Sequence, residues 1–570
     1  MKKILNTILI ATGIFAATSC GFFDVEPQVI CSDTFYNTEK EVQYGLAGVY
    51  GVMSNEALYG NYYSQMCSNI DDLSYFNRDI GSNYLQYNRH DAGTSQIYDI
   101  WVELYQGIRN ANAFMEAVVL TEFDKDGKYF NEARFLRAYY HFLLAQAWGD
   151  VPLRKAAVTT HDKVMIANTP QHDVLKWVVS EMEECISLAD VSLENSPSRV
   201  TQTTIQGILA RVYLFMAGKS VDGVTDEDRA TYFAKAKGFA FDVIDSKLHK
   251  LNPDYSQIFK NMIKDEYDTQ YRESMWEVDF LGDRSSAENW SNGRIGDVIG
   301  LQSGGNATNY SEFKCNYAYG QYDGSLKLWD LYWRTDRTDE ENELPTVTDV
   351  RQEWNMPPYN YAGSTNQPPY GSGLTSGESL AGVDKTPYVY NNASTNTDPL
   401  AAPAIRNCGK YRREVEFEGV KDAKRLYTTI NYPLLRYSDV LLMYAEASNE
   451  ISGVTTEAYD YVAAVRTRAG VATRDMEDYD KDSFRELIRN ERGRELCFES
   501  LRKYDLIRWG VYVQEMNNYK NWAADERWVK NAKSDRAKNM GSFVKPMHVF
   551  LPIPSIELGV NDLLVQNPLW

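Results

Sequence analysis

Phe130-Asn-Glu-Ala-Arg-Phe-Leu-Arg-Ala-Tyr-Tyr-His-Phe-Leu-Leu-Ala-Gln-Ala-Trp148 is apolar almost all round a helical wheel. A helix of that kind has no broad polar stripe to give to water, so neighbours must enclose it on most sides. The flanking sequence supplies them. Upstream, Ile97, Ile100, Trp101, Leu104, Ile108, Ala111, Met115 and Val118 recur at the spacing of one helix face. Downstream, residues 171–189 repeat the pattern with Val174, Val178, Met182 and Ile186. Residues 204–216 do so with Ile205, Ile208, Leu209, Val212 and Phe215, and 230–246 with Phe233, Ala236, Ala240, Val243 and Ile244. The fold class predicted is mainly α, in successive tetratricopeptide-like helical pairs, although the repeat is degenerate. In the C-terminal third the period predicts helices over 434–451, over 457–469 closed by Gly470, and over 483–499 with Asp482 and Ser483 as the N-cap. Phe550 to Glu557 carries Pro552 and Pro554 and reads as non-helical.

Between residues 282 and 390 the character changes. This stretch holds 13 Gly and 6 Pro in 109 residues, with Pro357-Pro358, Pro368-Pro369 and a Gly-Ser-rich run from Gly371 to Gly377. Long helices are precluded there. Yet Trp290, Tyr310, Tyr317, Tyr319, Tyr322, Trp354, Tyr359, Tyr361 and Tyr370 sit among the turns. Flexible linkers are poor in large apolar side chains, so this is an ordered, functional excursion on the helical scaffold. Trp329, Tyr332 and Trp333 follow Leu326 at helical spacing and read as core.

The chain has 570 residues and a net charge of −20. That sign argues against nucleic acid and against an anionic membrane surface. The six His are too scattered for a local zinc motif, and 40 Tyr and 12 Trp are the compositional feature to explain. At the N-terminus Lys2 and Lys3 precede a short apolar run that ends in Ala-Thr-Ser-Cys20, the form of a secretory signal at residues 1–19. The run is too short for a stop-transfer span. Small residues leading into Cys20 resemble a bacterial lipobox, with Ala17 where Leu is usual, and imply a diacylglycerol thioether on Cys20. The remaining Cys31, Cys67, Cys185, Cys315, Cys408 and Cys497 have no CxxC spacing, and most read as buried free thiols.

Motifs for chemistry are weak. Arg134, Arg137, Arg436, Asp439, Glu446, Arg489, Glu491, Arg494 and Glu495 read as ion pairs that set helix register rather than as acid–base pairs. Glu122 to Gly127 begins like a calcium loop, but its twelfth position is Ala133 instead of the bidentate Glu, so a turn is the better account. Gly371-Ser-Gly373 has no preceding strand and no following Gly-Lys, and neither a nucleophile elbow nor a His-Glu-x-x-His is found. No enzyme, metal or cofactor is implied.

At this point the chain resembles the SusD/RagB family of outer-membrane nutrient-binding lipoproteins of Bacteroidetes. The resemblance rests on the order of Thr34-Phe-Tyr-Asn-Thr-Glu39, Leu46-Ala-Gly-Val-Tyr50, Ala133-Arg-Phe-Leu-Arg-Ala-Tyr-Tyr140 and Trp148-Gly-Asp-Val-Pro-Leu153. It continues through Leu435 to Glu446, Glu491-Arg-Gly-Arg-Glu-Leu496, Asp505-Leu-Ile-Arg508, Leu551-Pro-Ile-Pro554 and Gln566-Asn-Pro568, with Leu569-Trp570 replacing the usual closing Gly-Tyr. The resemblance implies a lipidated segment over 20–40, a helical region over 41–270 and a C-terminal region over 271–570. It implies surface localisation at the outer membrane, a SusC-type TonB-dependent barrel as partner, and an oligosaccharide or polysaccharide as ligand. A peptide-binding member of the family is the first alternative. A glycan-degrading enzyme, or a scaffold that binds only its barrel, are rivals of other classes.

The ligand face expected from the resemblance takes its aromatics from Trp290, Tyr310, Tyr317 and Tyr319. A second segment, residues 69–91, offers Asp71, Asp72, Arg78, Asn83, Tyr84 and Tyr87. A flat ring covers the CH face of a pyranose, while carboxylate, amide and guanidinium groups bond its hydroxyls.

Overall fold

The computed structural model describes residues 35–81, 83–158, 164–189, 191–194, 197–280, 293–302, 318–333, 349–357, 359–361, 385–387, 406–413, 416, 427–522 and 532–570. Cys20, Cys31, Trp290, Tyr310, Cys315 and Tyr317 lie outside them.

The helices of the first half are α1 (Glu39–Tyr50), α2 (Ser95–Val118), α3 (Lys128–Trp148), α4 (Gln171–Cys185), α5 (Gln202–Met216), α6 (Asp226–Ser246) and α7 (Tyr255–Lys264). Each of α2 to α5 packs on its successor, and α6 packs on the C-terminal α10 (Tyr437–Ser452), which lies against α11 (Thr456–Arg468) and α12 (Lys481–Leu496). Between them α8 (Leu326–Trp333) and α9 (Val350–Asn355) are short, and α13 (Arg502–Arg508), α14 (Tyr512–Trp522), α15 (Ala532–Ser542) and α16 (Ser555–Val560) complete the chain.

The all-round apolar helix is α3, and it is the molecular axis. It buries residues on every side, from Tyr129 to Trp148. It comes so close to α2 that a Cβ on Gly107 would stand 2.6 Å from a ring carbon of Tyr140. Every apolar position expected of α2 is buried. The C-terminal tail clasps the end of α3. Trp148 Nε1 donates to the Pro552 carbonyl at 2.9 Å, and the Leu551 amide donates to Ala147 at 2.8 Å. Asn567 Nδ2 bonds the carbonyls of Trp148 (2.7 Å) and Leu551 (2.6 Å), while the Gln566 amide group pairs with both backbone groups of Ile553. The Trp148 motif and two C-terminal motifs some 400 positions away are therefore one structural joint.

Short antiparallel ladders join the rest. β1 (Ser74–Phe76) pairs with β3 (Tyr322–Gly324), β2 (Ser274–Val278) with β6 (Tyr432–Arg436), and β4 (Tyr359–Tyr361) with β5 (Lys385–Pro387). Three boundaries depart from the sequence reading. Leu434 to Arg436 are strand, paired across from residues 274–278, and the helix begins at Tyr437. The N-cap of α12 is Asp480, whose carboxylate accepts from the amides of Asp482 and Ser483. Ser555 to Val560 are helical, with Pro554 at the cap.

The signature charges are buried in two networks. In the first, Arg436 reaches Glu273, Glu495 and Glu499; Arg351 reaches Asp349, Glu491 and Glu495; and Arg468 joins Glu273 to Glu495. In the second, Asp439 accepts from Arg211 and Arg492, and Arg492 and Arg508 meet at Asp505. Burial opposes ionisation of Asp439, but Arg492 and Arg211 outweigh it and hold the carboxyl at about 2. The structural reading holds for these charges and for Arg134 and Arg137 on Glu181, Glu446 on Arg508 and Arg494 on Glu491, but not for Arg489, which pairs with no described carboxylate. Cys67, Cys185, Cys408 and Cys497 are buried free thiols, and Trp329 and Tyr332 are core.

Candidate functional site

The β1–β3 ladder brings the two segments of the expected ligand face together. Ser74 faces Gly324, Tyr75 faces Asp323 and Phe76 faces Tyr322. At its centre the Asp323 carboxylate, fully buried, accepts from Tyr75 Oη (3.0 Å), Asn77 Nδ2 (2.6 Å) and Asn407 Nδ2. Through this one acceptor, residue 323 ties residues 75–77 to residue 407, and it sets where the loop after Asn77 leaves the scaffold. A buried carboxylate with every oxygen engaged is a rigid support.

Beyond that anchor the loop turns outward. Arg78 Nη2 donates to the backbone carbonyl of Tyr319 at 2.6 Å, which joins two of the expected site residues directly. Asn83 Nδ2 donates to the Asp79 carbonyl at 2.8 Å and closes the turn. Tyr84 is 46% exposed, and the Arg89 guanidinium lies 5.8 Å from its ring centroid and 5.2 Å from that of Phe543. Arg536, on α15, holds Asp79 Oδ1 at 2.8 Å while the Asp79 side chain remains 85% exposed. The exposed Tyr84 phenol therefore lies beside the Arg89 guanidinium, on a loop that also carries Asn83 and Asp79, with Arg536 docked on Asp79.

Asp71 and Asp72 do not belong to this surface. Both are buried. Asp71 Oδ1 caps the amides of Leu73 (2.8 Å) and Ser74 (3.1 Å), and burial, with the Asp72 charge beside it, pushes its carboxyl up to about 7. Asp72 is gripped by Arg502 at 2.8 and 2.9 Å and by Lys327 at 2.6 Å. Burial opposes its charge, but the two cations hold it well below the usual carboxylate range. The split resembles an acid–base pair, yet neither carboxylate reaches the surface, so their expected role as ligand partners is corrected to a structural one. Tyr87 is likewise buried, its hydroxyl donating to the carbonyls of Phe76 (3.3 Å) and Arg78. Tyr319 is half-buried, its amide donating to the Asp297 carbonyl at 2.7 Å.

Asp79, Arg89, Arg536 and Phe543 are additions that sequence reasoning missed. Asp79 and Arg89 lie inside the segment already singled out, but Arg536 and Phe543 come from the far end of the chain and carry no local signal. The calcium-like stretch is a cap: Asp124 accepts from the amides of Tyr129 (2.9 Å) and Phe130 (2.8 Å) at the start of α3. No group of three or more potential metal ligands occurs among the described residues.

Helical pairs carrying a loop-built face, with the tail clasped back onto the central helix, define a helical scaffold of one particular kind. The chain belongs to the SusD family, whose pattern matches residues 272–570. Residues 21–214 match a second pattern, described as SusD-like and as starch-binding associating with the outer membrane. A SusD-like protein of Formosa agariphila is 24% identical over 99% of this chain and 98% of its own length. Among solved structures, a SusD homolog from Bacteroides thetaiotaomicron superposes with a TM-score of 0.79 at 24% identity, covering 95% of this chain and 98% of the other. A laminarin-binding SusD-like protein superposes with a TM-score of 0.63 at 20% identity, covering 94% and 100%. These likenesses establish the fold.

Proposed function

We propose that the protein is a lipid-anchored, non-catalytic glycan receptor on the outer-membrane surface, and that it serves as the lid of a SusC-type TonB-dependent barrel. The observation that carries glycan binding is the exposed Tyr84 ring beside Arg89, on a rigidly anchored loop that also carries Asp79 and Asn83 and docks Arg536. Such a surface offers what a pyranose needs: a flat apolar face and charged hydrogen-bonding groups around it. The laminarin-binding protein of the same fold supports a glycan as the ligand class. Trp290, Tyr310 and Tyr317 are proposed to extend the platform, with Arg78 and Tyr319 as its hinge to the scaffold. The anchor is proposed at Cys20, and no helix among the described residues is long and apolar enough to cross a membrane. Calorimetric titration of the purified chain with neutral β-glucans and α-glucans, repeated with Tyr84→Ala, tests the proposal. Binding of an extended peptide in place of any glycan would favour the peptide-binding reading.

A further inference from the structure

The helical side of the molecule holds another pocket, of about 530 Å³, that shares no lining residue with the loop face. It lies where the C-terminal end of α5, the start of α6, the end of α10 and the helices α12 and α13 converge. Its walls carry five cationic side chains, Lys219, Arg229, Arg485, Arg489 and Arg508, against three carboxylates, Asp226, Glu446 and Glu450. In a chain of net charge −20 a cationic pocket is unexpected, and its pairing shows where the excess lies.

Arg508 is taken by Glu446, with Nη2 to Oε2 at 2.7 Å, and by Asp505 at 2.8 Å, and Arg485 by Glu450, with Nη2 to Oε2 at 3.0 Å, and by Asp482, so neither is free for a ligand. Arg229 uses Nη1 on the carbonyls of Ala217 and Gly218 and meets no described carboxylate. Arg489 is the least compensated. Its guanidinium lies 4.6 Å from the centroid of the Trp509 ring, its Nε is buried without an acceptor, and it forms no ion pair with a described carboxylate. Trp509 is held in turn by its Nε1 donating to Glu446 Oε1 at 2.7 Å. Stacking on an indole fixes the plane of a guanidinium without using its N–H donors. The result is a preoriented fork with an unmet donor. Burial lowers the pKa of Arg489, and Arg508 and Arg485 add to this while Glu446 and Glu450 counter it, so the charge is only partly compensated. Asp226, exposed in the first turn of α6, stands at the rim and disfavours anions that do not reach past it.

We propose that this pocket is a binding site for a carboxylate-bearing ligand of monosaccharide size, such as a hexuronate. Its carboxylate pairs with Arg489 and with the free donors of Arg229. A planar carboxylate matches the guanidinium fork with two parallel hydrogen bonds. The volume is in the range that encloses a small ligand, and Phe233 and Leu214 give the wall an apolar side. The proposal stands independently of the glycan-receptor reading.

The test is calorimetric titration of the purified chain with glucuronate, glucose and inorganic sulfate, for the wild type, Arg489→Gln and Arg229→Gln. Glucuronate should bind saturably in the millimolar range and glucose should not. Arg489→Gln should weaken glucuronate about tenfold or more, the loss of a charge-assisted bidentate contact. The same variant should leave glycan binding at the loop face unchanged, which separates this claim from the one above. Thermal melts of the variants should overlay that of the wild type. Should Arg489→Gln melt lower, Arg489→Lys keeps the charge and the stem while removing the fork, and should still lose affinity. Equal glucuronate affinity in wild type and variants overturns the proposal. So does the absence of glucuronate binding, or sulfate binding as tightly as glucuronate, which would mark a site for any small anion.

Discussion

At the scale of single residues, the contrast between Asp72 and Tyr84 separates support from function. Both lie in one stretch of loop and both read from sequence as ligand contacts. Asp72 is enclosed by Arg502 and Lys327, whereas Tyr84 faces solvent beside Arg89. Tyr84→Ala should therefore weaken glycan binding by about 1 to 3 kcal/mol and leave the melting temperature nearly unchanged. Asp72→Ala strips the carboxylate from the buried Arg502 and from the half-buried Lys327 and should cost about 3 to 5 kcal/mol of stability. Paired calorimetry and thermal melts of the two variants check both statements, and an Asp72→Ala protein that melts like the wild type would undo the assignment. Trp290→Ala belongs with Tyr84→Ala, since its polar, turn-rich setting from Ser285 to Gly293 has no apolar periodicity to draw the indole inward. What sequence could not show is which carboxylate of a loop finds a cation. Lys327 and Arg502 are more than 250 and 400 positions from Asp72, and only the folded chain sets them beside it.

At the scale of elements, periodicity served where one face of a helix is buried and failed where both sides of a segment are. The positions of α2 were legible because its solvent face is polar and its buried face recurs faithfully. Leu434 to Arg436 were not, because a short segment buried on both sides, apolar from Tyr432 to Leu435, reads alike as helix or strand. Pairing with β2 decides it. Caps failed for a related reason: Asp480, Asp482 and Ser483 are all good N-cap residues, and only backbone geometry selects Asp480. The charged signature was legible as structural, and its consequence is testable. Arg436 is fully buried among Glu273, Glu495 and Glu499 and joins the β2–β6 ladder to α12. Arg436→Ala should destabilise the protein by about 3 to 5 kcal/mol, because it leaves carboxylates buried without their cation. A chemical-denaturation curve measures it, and a midpoint within error of the wild type would contradict the role given to the network.

At the scale of the whole molecule, acid stability follows from buried titratable groups of two kinds. Burial keeps His548 at about 4 and His90 well below its ordinary value, so the unfolded chain takes up protons that the folded one refuses. Stability on their account is fully present above about 6.5 and declines as pH falls through that value. Asp71 and Glu277, both raised by burial to about 7, act oppositely and relieve an unfavourable burial over much the same window. Below about 4 the balance ends. Asp439 and Glu491 have pKa values near 2, so their stabilisation is present above about 4 and is lost as pH falls toward 2. Melting temperature against pH should therefore change little from 7 to 5 and fall steeply below 4; an unchanged melt down to pH 2 would contradict the buried ion pairs.

The same scale holds the claims about place and purpose. Cys20→Ala should release the protein from the outer-membrane fraction if the lipid proposed on Cys20 is its anchor; full retention in cell fractionation would shift the anchoring to a protein partner. The central claim is that the loop face takes a glycan without cleaving it. Calorimetric titration of the purified chain against a panel of neutral polysaccharides, with reducing ends assayed in the same cell, tests it most directly. The account predicts saturable binding of at least one glycan, weakened roughly five- to two-hundredfold in Tyr84→Ala, with no reducing ends released. Binding that Tyr84→Ala leaves untouched, or steady release of reducing ends, would contradict it.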